Sequence, residues 1–211
     1  MQPDEVDTKK IYMKHSRFVI PDKCSMIQIP KNASSTTAMW LRPEYESSRL
    51  PVENENLIAI LREPMDRWRS GISQAIKCDW TELHLLTKLF DKGRTMVDFH
   101  TLPQYLYLWM YRKHNIKFYT FGPNVINEIS SDYDIPYTQN ISENTSEDRS
   151  KTYDVIDRYL DDNPEFIDLI KSTYIEDYKL FEQHIMPNKI TVRALPSRMI
   201  PGMMTYLQLT L

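Results

Sequence analysis

The chain has 211 residues, 41% hydrophobic and 26% charged, a content that suits one soluble domain with a substantial core and excludes a largely disordered chain. Lys and Arg total 26 against 29 Asp and Glu, a net charge of −3, so no global positive field draws nucleic acid or heavily sulfated glycans. Two cysteines, Cys24 and Cys78, give neither a disulfide framework nor zinc spacing; with no secretory leader or membrane-length apolar run, a reducing, cytoplasmic location without a metal is expected.

Residues 1–10 are polar and expected to fray. Strand signals follow at Phe18 to Ile20 and at Met26 to Ile29. The second runs through Pro30, Lys31, Asn32 and Ala33 into the hydroxyl cluster Ser34, Ser35, Thr36 and Thr37, where a helix is expected over Ser35 to Leu41. A strand delivering a tight loop to a helix start makes an anion cradle: unpaired N–H groups and the helix dipole favour negative charge, Lys31 adds a compact cation, and the hydroxyls donate or cap. A merely capped helix would also use these residue types.

The next strand, Leu57 to Leu61, passes through Arg62 and Pro64 into an amphipathic helix over Asp66 to Lys77, with Met65, Trp68, Ile72 and Ile76 at helical spacing. Arg62 leaves the strand's C-terminal end, and Ser70 lies about two turns along, so guanidinium and hydroxyl can reach one phosphate. A helix over Glu82 to Phe90 and a strand over Ile116 to Phe121 follow. Between them, Tyr105, Tyr107, Trp109 and Tyr111 read as a packed segment. Ser130 to Glu147 reads as a polar loop carrying sequons at Asn140 and Asn144. Phe166, Leu169, Ile170, Thr173, Tyr174, Asp177, Tyr178 and Phe181 trace one helical stripe, read as core packing, started by Asn163-Pro164. Alternating strands and helices favour an α/β domain, a short parallel sheet flanked by helices with a helical C-terminal half. Ligands of such sheets sit beyond the strand C-termini. One domain over residues 1–211 is expected, with 186–211 a tail of unassigned packing.

The segment Ile29-Pro-Lys-Asn-Ala-Ser-Ser-Thr-Thr37 resembles the 5′-phosphosulfate loop of sulfotransferases that use 3′-phosphoadenosine 5′-phosphosulfate (PAPS). Leu61-Arg-Glu-Pro-Met-Asp-Arg-Trp-Arg-Ser70 resembles their 3′-phosphate motif. The lead-in from Ser16 to Lys31 is similar to the hairpin before that loop in the Golgi-type (family 2) carbohydrate branch, and Phe99-His-Thr-Leu-Pro-Gln104 and Tyr174-Ile-Glu-Asp-Tyr-Lys-Leu-Phe181 are similar to weaker signatures. The resemblance spans about residues 16 to 182. It implies a P-loop-like three-layer fold, PAPS as donor, the 3′,5′-bisphosphate PAP as product, and a hydroxyl or amine acceptor, a small molecule or glycan. Golgi relatives are membrane-anchored, so resemblance and expected location part company.

In that reading Lys31 is catalytic, neutralising charge on the bridging oxygen as the bond to sulfur breaks; Asn32, Ala33, Ser34, Ser35, Thr36 and Thr37 complete the cradle; Arg62 and Ser70 hold the 3′-phosphate. Among His15, His84, His100, His114 and His184, His100 is the chosen general base because it sits in a loop-like segment with Pro103; Glu53, Glu55 and Glu63 stay open. His84 is read as packing and His184 as serving a helix dipole. The cradle lacks glycine, no aromatic directly follows its threonines (Trp40 comes later), and Arg193 and Arg198 receive no role. Two rivals remain: a nucleotide-binding relative without turnover, and a P-loop kinase, which lacks its Gly-x-x-x-x-Gly-Lys motif here.

Overall fold

In a computed structural model, the described residues are 11–12, 17–41, 45–47, 51–52, 55–79, 82–137, 147–185 and 207–208. Residues 1–10, the sequons at Asn140 and Asn144, His15, Glu53, Arg193, Arg198 and nearly all of the 186–211 tail lie outside them.

The chain is α/β. Strands β1 (Ile11–Tyr12), β2 (Arg17–Ile20) and β3 (Cys24–Ile27) lead to helix α1 (Ser34–Leu41) and the two-residue β4 (Glu46–Ser47). Then come β5 (Leu57–Leu61), α2 (Pro64–Asp79), α3 (Glu82–Asp91), a 3-10 turn Phe99–Thr101, α4 (Gln104–Leu108) and β6 (Ile116–Thr120). The remainder is α5 (Val125–Tyr133), α6 (Glu147–Asp162), α7 (Pro164–Thr173), α8 (Ile175–Ile185) and β7 (Leu207–Gln208), which pairs with β1.

The main sheet runs β4-β2-β3-β5-β6 and is mixed, not parallel throughout. β3, β5 and β6 are parallel, Met26 opposite Ile58 and Leu57 opposite Ile116, whereas β2 is antiparallel to both β3 and β4. The reason is local: only residues 21–23 separate β2 from β3, which permits a hairpin and forbids the long crossover a parallel pair needs. Asp22 takes the left-handed conformation in that turn, at φ 59°.

β5 is buried along its whole length because it is central and covered on both faces. Period-two alternation sends Leu57, Ala59 and Leu61 to a core shared with Leu102, Tyr105, Leu106 and Leu108. Ile58 and Ile60 face the opposite core, with Phe18, Met26, Leu41, Tyr119 and Ile129. A third core joins α2 to the helical half through Trp68, Ile72, Leu86, Ile156, Phe166, Ile170 and Tyr174.

The C-terminal stripe is therefore packing, divided into α7 and α8 at Tyr174. The expected loop over 130–147 is corrected at its start: α5 continues to Tyr133 because Val125, Ile126 and Ile129 form a buried stripe, and left-handed Asp134 ends it. His84 is exposed on α3 rather than packed. Among the described residues, no helix is long and apolar enough to cross a membrane.

Candidate functional site

The site lies beyond the C-terminal ends of the neighbouring strands β3 and β5. After β3 the chain makes a turn in which Asn32 N–H donates to the Ile29 carbonyl at 3.1 Å, and Lys31 (φ 69°) and Ala33 (φ 59°) are both left-handed. Non-glycine residues there carry strain, and alternating hands tilt successive N–H groups toward one centre, the geometry of an anion nest. The first bond of α1 runs from Thr37 N–H to the Ala33 carbonyl at 2.9 Å, so the N–H groups of Ser34, Ser35 and Thr36 have no intrahelical acceptor. Ser34 and Thr36 are half-buried and Ser35 is exposed.

Two of the expected cradle side chains turn inward. The Thr37 hydroxyl is buried and donates to the Ala33 carbonyl at 2.9 Å. Asn32 is buried, its Nδ2 donating to the Ile60 carbonyl at 2.7 Å and to Gln104 Oε1 at 2.8 Å. Both are framework of the cradle, because their donors are spent on the protein.

After β5, Arg62 folds back against this loop. Its Nη1 donates to the Lys31 carbonyl at 2.9 Å, its Nε to Asp66 Oδ2 at 2.6 Å, and its guanidinium lies over the Phe121 ring, 4.4 Å from the centroid. Arg62 is thus buried and ion-paired rather than an open fork. Asp66 follows from helix geometry, four residues on in the first turn of α2, where Glu63 Oε2 accepts its N–H at 2.6 Å. Ser70 is buried further along the same helix.

The turn that carries His100 packs on α2 at Gly71. There an added Cβ would lie 2.6 Å from the His100 carbonyl oxygen, so only glycine lets the 99–101 turn sit on α2. The turn is closed by a capping box between Asp98 and Thr101. Asp98 Oδ2 meets His100 Nδ1 at 2.9 Å; a carboxylate only accepts, so in the neutral ring Nδ1 carries the hydrogen and Nε2 the lone pair. The His100 side chain is 25% exposed, with the Phe99 ring 3.8 Å away. Of the carboxylate alternatives, Glu55 is consumed by Arg17, Ser25 and the Val52 N–H, and Glu63 caps α2. Trp40 is engaged elsewhere, with its Nε1 on the Pro136 carbonyl at 2.9 Å. His184 stands in the last turn of α8 beside Phe118, and burial lowers its pKa.

A buried polar network underlies both loops. Gln104 Oε1 accepts from Arg62 N–H at 3.3 Å as well as from Asn32, and its Nε2 donates to the Arg62 carbonyl at 2.8 Å. Asp177 accepts the Gln104 and Tyr105 N–H groups at 2.7 and 2.8 Å; desolvation lifts its carboxyl to about 6, partly offset by Arg67 and by those two bonds. Arg67 is fully buried and donates to the Leu102 carbonyl.

The sequence alone gives no role to Asp66, Asp98 or Gln104, and takes Asp177 only as part of the packing stripe. A carboxylate within an otherwise apolar stripe, as at Asp177, and Asp two residues before His, as at 98 and 100, were the available signals. Among the described residues no group of three or more His, Cys, Asp or Glu is arranged to hold a metal. The arrangement brings the loop after β3 and the loop after β5 into contact through Arg62 Nη1 and the Lys31 carbonyl, with Ser70 and the 99–101 turn carrying His100 both on α2. The chain matches no protein-family model, and no curated protein or solved structure is significantly similar to it.

Proposed function

We propose that the chain is a PAPS-dependent sulfotransferase, moving a sulfuryl group to a hydroxyl or amine acceptor. One observation carries the reading: Arg62, leaving β5, bonds the main chain of Lys31, leaving β3, so the two cationic loops meet at adjacent strand ends as a donor charged at both ends requires. In support stand the nest-like turn at 31–33, the helix start at Ser34, and the likeness of both segments to the phosphosulfate and 3′-phosphate motifs.

In this reading Lys31 and the α1 N-terminus take the phosphosulfate, and Arg62 with Ser70 takes the 3′-phosphate after exchanging Asp66 for the ligand. Transfer is an in-line displacement through a loose transition state: the acceptor oxygen or nitrogen bonds to sulfur as the bond to the bridging oxygen breaks. Lys31 compensates the charge growing on that departing oxygen, and His100 Nε2 takes the acceptor's proton. Asp98 holds the ring in the tautomer that this needs.

Two measurements test it. Calorimetry should show adenosine 3′,5′-bisphosphate binding in preference to magnesium ATP, and radiolabelled sulfate should pass from PAPS to at least one member of a panel of sugar and small-alcohol acceptors. Preference for magnesium ATP would indicate a kinase. Bisphosphate binding without transfer to any acceptor would indicate a non-catalytic nucleotide binder.

A further inference from the structure

Gln104 belongs to neither anion loop, yet its fully buried side chain bonds both: the Asn32 amide of the first, and the main-chain N–H and carbonyl of Arg62 in the second. Its own position is set from a distant helix. α4 is preceded by Pro103, which supplies no side-chain cap, and Asp177 of α8 accepts the first two N–H groups of α4 instead. The helical half thereby reaches the strand ends through one carboxylate and one amide.

We infer that Gln104, seated by Asp177, is a positioning residue that fixes the separation of the two anion loops and so favours a nucleotide carrying both 3′ and 5′ anions over one carrying either alone. This rests on the nucleotide reading above. The pairing of β3 with β5 ends at Ile27 and Ala59, while β5 stays paired with β6 through Leu61, so the sheet does not tie the loop after β3 to the end of β5 and another constraint is needed. The left-handed Lys31 and Ala33 persist only where their surroundings over-determine them, and the amide of the intervening Asn32 is held by Gln104 and Ile60. A ligand with two charged ends gains from engaging both at once only if the spacing of the subsites matches its own.

The test titrates adenosine 3′,5′-bisphosphate, 3′-AMP and 5′-AMP by calorimetry into the full chain, Gln104→Ala and the isosteric Asp177→Asn. Loss of the Gln104 bonds should weaken the bisphosphate about tenfold while each monophosphate changes less than about threefold. Asp177→Asn should show the same selective loss, smaller in size, and serves if Gln104→Ala does not fold. Equal losses for all three ligands, or none, would overturn the inference. If the natural chain binds no nucleotide, the proposed function and the selectivity both fall. The loop constraint is then read alone: amide exchange at Asn32 and Arg62 should quicken in both variants while β5 stays protected, and unchanged exchange at those amides would refute it.

Discussion

The guanidinium of Arg62 donates to the main-chain carbonyl of Lys31 at 2.9 Å while its Nε is held by Asp66 at 2.6 Å. A 3′-phosphate at Arg62 must therefore compete with a carboxylate already in place. Asp66→Asn is expected to raise affinity for adenosine 3′,5′-bisphosphate about threefold to tenfold, and Arg62→Lys, which loses the planar fork, to lower it by at least as much with a smaller change in turnover. Lys31→Ala should show the opposite division, about a hundredfold loss of single-turnover rate with little change in binding. Calorimetry and rapid-quench transfer separate the two patterns; a Lys31→Ala variant with normal transfer removes that residue from the chemistry.

The Asp98–His100 pair gives a graded expectation. His100→Ala should lower turnover about a hundredfold, and Asp98→Asn about tenfold, because an amide can donate to Nδ1 and turn the ring to the wrong tautomer. Both effects are read as kcat at saturating PAPS. Equal, undiminished turnover in the two variants would assign the proton transfer to another group.

Gly71→Ala tests the seating of that histidine. The new Cβ would meet the His100 carbonyl at 2.6 Å and the Thr101 methyl at 2.9 Å, so the turn must shift. The expected cost is about 1–3 kcal/mol, seen as a lower urea midpoint. Unchanged stability would mean that the 99–101 turn does not rest on α2.

Asp177 makes a pH prediction. Its carboxyl is raised from 3.8 to about 6, so between those values the folded chain holds a proton that the unfolded chain releases. Its contribution favours folding at about pH 4 and is lost as pH rises through 6, by about 3 kcal/mol. Asp177→Asn should remove that slope, which urea unfolding at a series of pH values measures as the difference between variant and natural chain. A difference independent of pH would contradict it.

Cys24 is buried in β3, and desolvation pushes its thiol up to about 12. It should resist iodoacetamide at pH 8 in the folded chain and react once urea unfolds it, as peptide mass spectrometry would record. Rapid labelling of the native protein at Cys24 would contradict the packing of the β2–β3 hairpin.

What the sequence disclosed, and what it hid, divides by distance along the chain. Strand β5 is legible at its exact bounds because five apolar residues lie between polar ones, and α2 because Pro64 and the Trp68–Ile72–Ile76 spacing announce it. The stripe from Phe166 to Phe181 is likewise periodic. The end of α5 was missed because Ser130, Ser131 and Asp132 look like loop residues when the buried Val125, Ile126 and Ile129 are not counted with them. The frame of the site was illegible for a different reason: Gln104 meets Asn32 across 72 positions and Arg62 across 42, and Asp177 meets Tyr105 across 72. No local periodicity encodes such pairs. Asp98 needed only its two-residue offset from His100, and the inward turn of Thr37 follows from a hydroxyl's choice between a ligand and a nearby carbonyl.

Gln104 grips Arg62 by its peptide groups, not by its guanidinium. Any residue other than proline could occupy position 62 and still be clasped in this way. Exchange of the arginine would consequently release the guanidinium's own bonds to Lys31 and Asp66 while the same clasp on the main chain stayed in place.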